Sequence, residues 1–427
     1  MIFLTKWNET EIGEIPEDWE VLNLKENCVL IQYGYTATAS GKPIGPKFLR
    51  GTDIRGYTIN WENVPYCRIS DNDLDKYKLF KKDIVITRMG TPGDSAYFDA
   101  DFITVFGSYL IRIRLNREFN SKFVYYFLHS AKYKNFIKGI ISTSATPGVN
   151  AQHLTNVLIP KPLFEEQKAI AKIFSDLDSK IELNNQMNAT LEAMAQAIFK
   201  HWFIDFEFPD ENGKPYKSSG EKMVDSELGK IPEGWIVGKL KDIIAFKRDK
   251  FKQSTEWNHK KLISLSHMPK FSMCVNNFGE GSELNTNIYK LDEYDLLYGS
   301  IRPYFGKAGF SPIDGAVAGT VFQFIPNKKE YFGFALLILT SIDFINYTVA
   351  NSKGTKMPII DKDDILNYSI IIPSNILNDF NSIVLSLIIR MKNNISQNQI
   401  LSSIRDSILP KLMSGQIRVP VGVIKNA

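Results

Sequence analysis

The stretch Gly13–Val21, GEIPEDWEV, returns barely altered as Gly229–Val237, GKIPEGWIV. The interval from Pro16 to Pro232 is 216 positions, far beyond the roughly 20–50 residues of solenoid or propeller units. Stacked small repeats are thereby excluded, and two domain-sized copies remain. After each phrase comes an α/β stretch with strand-like runs, DIVITRM at Asp83–Met89 and YDLLYGSI at Tyr294–Ile301. Alternation and β-branched residues mark these as strands, punctuated by Gly and Pro. Both halves close alike. NVLIPKPLFEEQKAIAKIF in the first corresponds to YSIIIPSNILNDFNSIVLSL in the second: a strand, a proline stop at Pro160 or Pro373, then a long helical pattern. Between the copies, Asp205–Gly229 is rich in Gly, Pro, Ser and charge, the composition of a solvated connector.

The helical patterns are the most quantitative feature. In the first half, Ile170, Phe174, Leu177, Ile181, Asn184, Asn188, Leu191, Ala195, Ile198 and Trp202 alternate steps of four and three, the seam of a coiled coil. Adding 210 to each gives Phe380, Val384, Leu387, Met391, Asn394, Asn398, Leu401, Arg405, Ile408 and Leu412, so both helices put two asparagines at matching seam positions. One reading has each helix packing only on its own domain, with the asparagines near solvent. The other has the helices packing antiparallel on each other, the polar positions fixing register at some cost in stability. Each would be about 60 Å long at 1.5 Å per residue, enough to hold two α/β domains apart about a pseudo-twofold axis.

Composition bounds the rest. A chain of 427 residues with 44% hydrophobic content suits two or three folded domains. The longest apolar run, FGFALLILTSI at Phe332–Ile342, meets Asp343 and Asn346 well short of the roughly 20 residues of a membrane span, so it reads as a buried helix. The N-terminus carries charge within its first ten residues and no small-residue cleavage site, so no secretion, no membrane and a cytoplasmic location are expected. Cys28, Cys67 and Cys274 are odd in number and far apart, and His259, His267 and Cys274 fit no recurrent ligand spacing. Neither a disulfide framework nor a metal site is expected. A net charge of +4 permits a nucleic-acid partner without demanding one.

Five phrases together carry a resemblance. LGKIPEGWIVGKL, LIPKPLFEEQKAIAKIF, LEAMAQAIFKHWFIDFEF, NGKPYKSSGEKMVDSELGKIPEGW and RDSILPKLMSGQIRV are similar to the characteristic segments of the specificity subunit of type I restriction-modification systems, in family order and spacing. The resemblance covers essentially the whole chain. It implies an α+β fold: two similar α/β target-recognition domains separated by two long antiparallel helices that form a coiled coil with pseudo-twofold symmetry. The divisions expected are a first recognition domain at 1–162, a helix at 163–204 and a linker at 205–227. A second domain at 228–374, a second helix at 375–414 and a tail at 415–427 complete the chain. The resemblance further implies that each domain reads one half of a bipartite, asymmetric target in double-stranded DNA, and that the helices dock two modification (methyltransferase) subunits. Adenine methylation would belong to those, and translocation and cleavage to restriction subunits. S-adenosylmethionine, ATP and Mg are expected only in the partners.

The chain's own residues agree with that division of labour. An adenine methyltransferase needs an Asn/Asp/Ser-Pro-Pro-aromatic loop around the flipped base, and no Pro-Pro occurs. The nearest approach to a phosphate loop, GSIRPYFGKAG from Gly299, has six intervening residues and Ala308 where a hydroxyl belongs. PDENGK (Pro209–Lys214) and EEQK (Glu165–Lys168) resemble fragments of an acidic metal site, but the second opens a helix, where Glu favours the dipole. NNFGEGSEL reads as a turn. A self-contained DNA-modifying enzyme, or a protein-binding scaffold without DNA recognition, are the alternatives.

Candidate reading residues follow from which side chains reach base edges and phosphates. In QYGYTATASGKPIGPKFLRGTDIRG, Tyr35, Thr36 and Thr38 suit loop contacts, Lys47 a phosphate, and Arg50, Asp53 or Arg55 a place near base edges; a plain exposed loop is the other reading. In TRMGTPGDSAYF, Thr91 suits a loop contact, and Arg88 suits a bidentate guanine contact or a pair with Asp94. The second copy places SIRPYFGKAGF there, with Arg302, Tyr304 and Lys307, and a basic cluster of Lys247, Arg248 and Lys252 upstream, or simply solvated surface.

Overall fold

A computed structural model of the chain describes residues 6–143, 148–252, 256–285 and 287–420. It divides into two units, Met1–Lys180 with Ile400–Ala427, and Ile181–Gln399. In the first, the hairpin Trp7–Thr10 with Gly13–Pro16 precedes an antiparallel ribbon of Glu20–Asn23 with Leu158–Lys161. A four-stranded sheet follows in the order Cys28–Tyr33, Leu110–Leu115, Ile84–Thr87, Ser95–Tyr97. Beside it runs a parallel pair, Lys47–Leu49 with Thr104–Phe106. Helix Ser121–His129 starts where the Asn120 side chain accepts the Phe123 N–H at 3.1 Å, an N-cap that satisfies an otherwise unpaired helix donor.

The second unit repeats this order, with one sheet enlarged. Met223–Ser226 pairs with Gly229–Pro232, and Ile236–Lys239 with Ser369–Ile372. Its four-stranded sheet runs Ile244–Lys247, Val321–Pro326, Leu296–Gly299, Ala308–Phe310. The parallel pair becomes Lys261–Ile263 with Gly315–Ala318, widened to a second sheet by Gly279–Glu280 and Ile288–Leu291. The apolar run forms the buried helix Phe332–Thr340. No single helix among the described residues is long and apolar enough to cross a membrane.

The repeated phrase has a mechanical role in each unit. Trp19 N donates to Pro16 O at 3.0 Å and Trp235 N to Pro232 O at 3.2 Å, so Pro-x-x-Trp is a tight turn that folds the indole inward. Trp19 Nε1 donates to Glu166 Oε2 at 3.1 Å, and the Arg418 guanidinium bonds Glu166 at 2.8 and 2.9 Å and Asp18 at 2.9 and 2.8 Å. Gly415 turns this tail with φ +74°, and a Cβ there would lie 2.5 Å from Pro16. In the second unit Phe208, 210 positions before Arg418, stacks on Trp235 at 4.9 Å. Thus the same clasp is ionic in one unit and aromatic in the other.

Two expectations differ here. The stretch 205–227 is not wholly a solvated connector: Phe206 and Phe208 are buried against Trp235, and the strand Met223–Ser226 already belongs to the domain's first hairpin. Pro160 is no stop, because the strand Leu158–Lys161 runs through it. A two-stranded ribbon has open edges, where a missing N–H is tolerated. EEQK opens the helix Phe164–Phe199 as expected, and Glu166 is in addition 1% exposed and held by Arg418 and Trp19.

The long helices are Phe164–Phe199, extended by a π turn at Lys200–Ile204, and Leu377–Met413. Within the second unit Asn184 Nδ2 donates to Asn398 Oδ1 at 2.8 Å and Asn394 Nδ2 to Asn188 Oδ1 at 2.8 Å. Rising numbers on one helix meet falling numbers on the other, so the pair is antiparallel. All four seam asparagines are buried and bonded across the pair. In the first unit the pair is joined by Asp178 and Arg405 at 2.8 Å. Ile170, Phe174, Phe380, Val384 and Met391 are fully buried, while Leu177, Ile181, Leu191, Leu387 and Leu401 are half-buried. Ile388 and Ile395, outside the simple seam, are also buried. The apolar face is wider than a two-stranded coil requires because each helix also packs on a domain.

Candidate nucleic-acid interface

In the first unit four chain segments leave the sheets on one side: 34–39, 50–54, 89–94 and 107–109. Gly34 makes their meeting possible, since a Cβ on it would lie 2.2 Å from Gly107 O, and Tyr35 N donates to Phe106 O at 2.7 Å. They enclose a concavity of about 950 Å³ whose polar lining includes Tyr35, Thr36, Arg50, Thr91, Asp94 and Tyr109. Four expected residues, from two separate stretches of sequence, therefore share one wall. Asp53, buried, accepts Arg50 Nε at 3.0 Å, NH2 at 2.7 Å and the backbone N at 2.9 Å, which fixes the guanidinium and lifts its pKa through that hydrogen bonding. The arginine still keeps 39% of its side chain exposed.

The other first-domain candidates stand elsewhere. Lys47 Nζ donates to Trp61 O at 3.0 Å and Val64 O at 2.8 Å and lies over the Tyr66 ring, so its charge is engaged inside the loop. Thr38 is exposed outside the lining. The Arg88 guanidinium lies over Tyr33 at 5.2 Å, with Nε 3.5 Å from Val149 O, and among the described residues it has no ion pair with Asp94. The Arg55 side chain lies outside the described residues.

The second unit has a concavity of about 610 Å³ at the ends of its parallel strand pair, Lys261–Ile263 and Gly315–Ala318, lined by Ser264, Ser266, Asn287, Tyr289, Gly319 and Thr320 among others. Arg248 backs this wall: its guanidinium lies 4.4 Å over Tyr289, NH2 donates to Gly319 O at 2.8 Å, and burial pulls its pKa down. Lys247 points into the fold, 2.8 Å from Asp295 and bonded to Asp292; burial opposes its charge, but these bonds outweigh it and hold its pKa above the ordinary lysine value. Lys252 is exposed. Arg302, at φ +53°, caps the turn Pro303–Phe305, with Tyr304 42% exposed beside it; Lys307 Nζ donates to Leu265 O. None of these last four lines the second concavity. Sequence reasoning missed Tyr109, Asn287 and Thr320. A signal existed, since both repeats place Gly and a hydroxyl residue just before a strand, Gly107-Ser108 and Gly319-Thr320.

Elsewhere in the first unit a buried polar group joins domain to helix. Arg405 lies 3.6 Å over the Tyr57 ring and bonds Asp178 at 2.8 Å; Tyr126 OH donates to Asp178 at 2.8 Å. Tyr57 stacks on His129 at 4.2 Å, whose Nε2 is 3.3 Å from Ser95 Oγ. Burial, helped by the Lys134 and Arg405 charges, pushes His129 down to about 3. The unfolded chain takes up a proton on this residue below about pH 6.5 and the folded chain does not. Stability is therefore complete above that pH and is lost as pH falls, by at most about 1.4 kcal/mol per unit. Burial raises Asp178, which acts in the opposite direction and closer to the carboxylate range. His129→Phe is expected to flatten the decline, and thermal midpoints measured from about pH 5 to 7.5 check it.

Among the described residues no group of three or more His, Cys, Asp or Glu could hold a metal ion. The family model described as the type I restriction modification DNA specificity domain matches twice, over residues 16–193 and 232–405, each match starting at the proline of the repeated phrase. The chain belongs to the type I restriction-modification specificity subunits. It is 30% identical over 443 residues to the type I restriction enzyme MjaIX specificity subunit of Methanocaldococcus jannaschii, covering 97% of both chains. To the HindI specificity subunit of Haemophilus influenzae it is 28% identical over 249 residues, 54% of this chain and 49% of that one. A crystal structure of the type I S subunit from M. genitalium shares its fold, with TM-score 0.52 at 16% identity over 92% of this chain and 96% of that one. Specificity subunits are the DNA-recognition members of these systems and not the catalytic ones. The chain accordingly has two target-recognition domains of one α+β fold.

Proposed function

We propose that the two concavities read the two halves of a bipartite, asymmetric DNA target. One observation carries this: in two repeats of one fold, the ends of the same parallel strand pair border concavities of unlike chemistry. Arg50, Tyr35, Thr36 and Thr91 stand in the first and Ser264, Ser266, Asn287 and Thr320 in the second. Arginine suits guanine edges and hydroxyl or amide groups suit other bases, so unlike walls favour unlike half-sites. Arg88, Arg302 and Lys252 serve as phosphate or flanking contacts that set position and salt-dependent affinity, while Arg248 and Lys307, bonded to backbone carbonyls, support the second unit's loops. The long helices dock two modification subunits, which methylate adenine with S-adenosylmethionine. Restriction subunits supply ATP- and Mg-dependent translocation and cleavage, and the complex works in the cytoplasm. Co-expression with the modification subunit from the same genome, followed by sequencing of methylated bases, tests the reading. Methylated adenines in two different short motifs at a fixed spacing are expected; a palindromic or single uninterrupted motif would overturn it.

A further inference from the structure

The walls of both concavities begin where a strand ends, at Leu49 in the first unit and Ile263 in the second, and both loops run on to touch a long helix. Tyr57, eight positions past Leu49, is the ring beneath Arg405, and its carbonyl accepts Tyr125 OH at 3.0 Å. Ser272, nine positions past Ile263, donates from Oγ to Glu192 Oε2 at 2.8 Å, and Met273 N donates to Glu192 Oε1 at 2.9 Å. Glu192 is buried. At the 210-position offset of the repeat, Arg405 corresponds to Ala195, three positions from Glu192 and so about one helical turn away. The repeats therefore tie the same loop to the same helix end with opposite charges and different bonds.

We propose that Arg405 and Glu192 are positioning residues for half-site reading, each fixing from the helix the loop whose near end forms the reading wall. This rests on the DNA-reading role of the concavities. A loop whose far end is held less firmly would spread Arg50 and Thr52, or Ser264 and Ser266, over more placements. Base-edge readout needs side chains held within about 0.5 Å, whereas phosphate attraction tolerates wider error. Each tether thus bears on discrimination at its own half-site, and neither on non-specific affinity.

The test uses the full-length protein assembled with its modification subunits. Binding is measured to duplexes carrying the methylated target, the target with either half scrambled, and both halves scrambled. Arg405→Ala is expected to lower discrimination at one half by about tenfold, the scale of one misplaced base contact, with the other half intact. Glu192→Ala should do the same at the opposite half. Arg405→Lys keeps a cation for Asp178 but loses the flat face over Tyr57, and Glu192→Gln keeps one acceptor, so both should fall between; they carry the test if an alanine variant does not fold. Affinity for the doubly scrambled duplex should stay constant. The inference is overturned if folded variants stay within about twofold of wild type at both halves, if both weaken the same half, or if either weakens both halves equally. Wild-type protein that fails to discriminate at all would instead remove the DNA-reading role itself, and the inference with it.

Discussion

Asp83→Ala is expected to lower the unfolding free energy by about 3–5 kcal/mol, the cost of stranding a buried charge. Asp83 is 0% exposed and accepts two bonds from Arg114, at 2.7 and 2.9 Å, and one from Phe80 N at 2.9 Å. Arg112, 3% exposed, lies 3.6 Å from the same carboxylate. Its remaining partners, Lys78 O at 2.6 Å, Lys76 O at 3.1 Å and Gln32 Oε1, are all neutral. Without the carboxylate the Arg112 charge is desolvated and uncompensated. Asp295, its counterpart before the matching strand, provides an internal comparison. There the cation is Lys247, which also bonds Asp292, and the position of Arg112 is taken by the neutral Gln323. Asp295→Ala should therefore cost less, since Lys247 keeps a carboxylate and no buried guanidinium is left alone. Urea denaturation of both variants, followed by circular dichroism, checks the order; equal losses would mean that Arg112 finds compensation elsewhere.

Phe380→Ala should cost a similar amount, about 3–5 kcal/mol, for a different reason: lost burial plus the cavity left behind. Phe380 is fully buried at the seam and meets Phe203 edge-on at 4.6 Å and Trp202 at 5.6 Å. These rings come from the end of the first helix, while Phe380 opens the second, so they cannot close the gap by a rotamer change alone. Phe380→Leu, which returns most of the volume, should recover much of the loss. The same denaturation measurement separates them, and equal stability of the Ala and Leu variants would show that the seam collapses around the gap.

Much of the architecture was legible because repetition and periodicity are local properties. The Pro-x-x-Trp phrase located both domains, since its turn needs only neighbouring residues. The seam from Ile170 to Trp202, copied 210 positions later, located both helices and the paired asparagines, since side-chain direction along a helix follows from spacing. The candidate site was legible only in part. Tyr35, Thr36, Arg50 and Thr91 meet in one concavity, but Lys47 and Lys247, equally basic in the sequence, have their ammonium groups bonded inside the fold. Charge on a lysine is visible in one dimension, but the direction of its side chain depends on strands far away. Arg405 was visible as a charge in an otherwise apolar seam, yet Tyr57 and Asp178, its partners, are hundreds of positions distant.

By itself the sequence determined that two α/β copies exist and which helix faces are apolar, because turns, strands and helices record short-range geometry in their spacing. Only the tertiary structure decided which charge answers which: Arg114 and Arg112 for Asp83 but Lys247 for Asp295, and Arg418 for Trp19 where Phe208 serves Trp235. A buried charge can be neutralised from any strand or helix that passes within about 4 Å, so equivalent sites can recruit partners from different places in the chain.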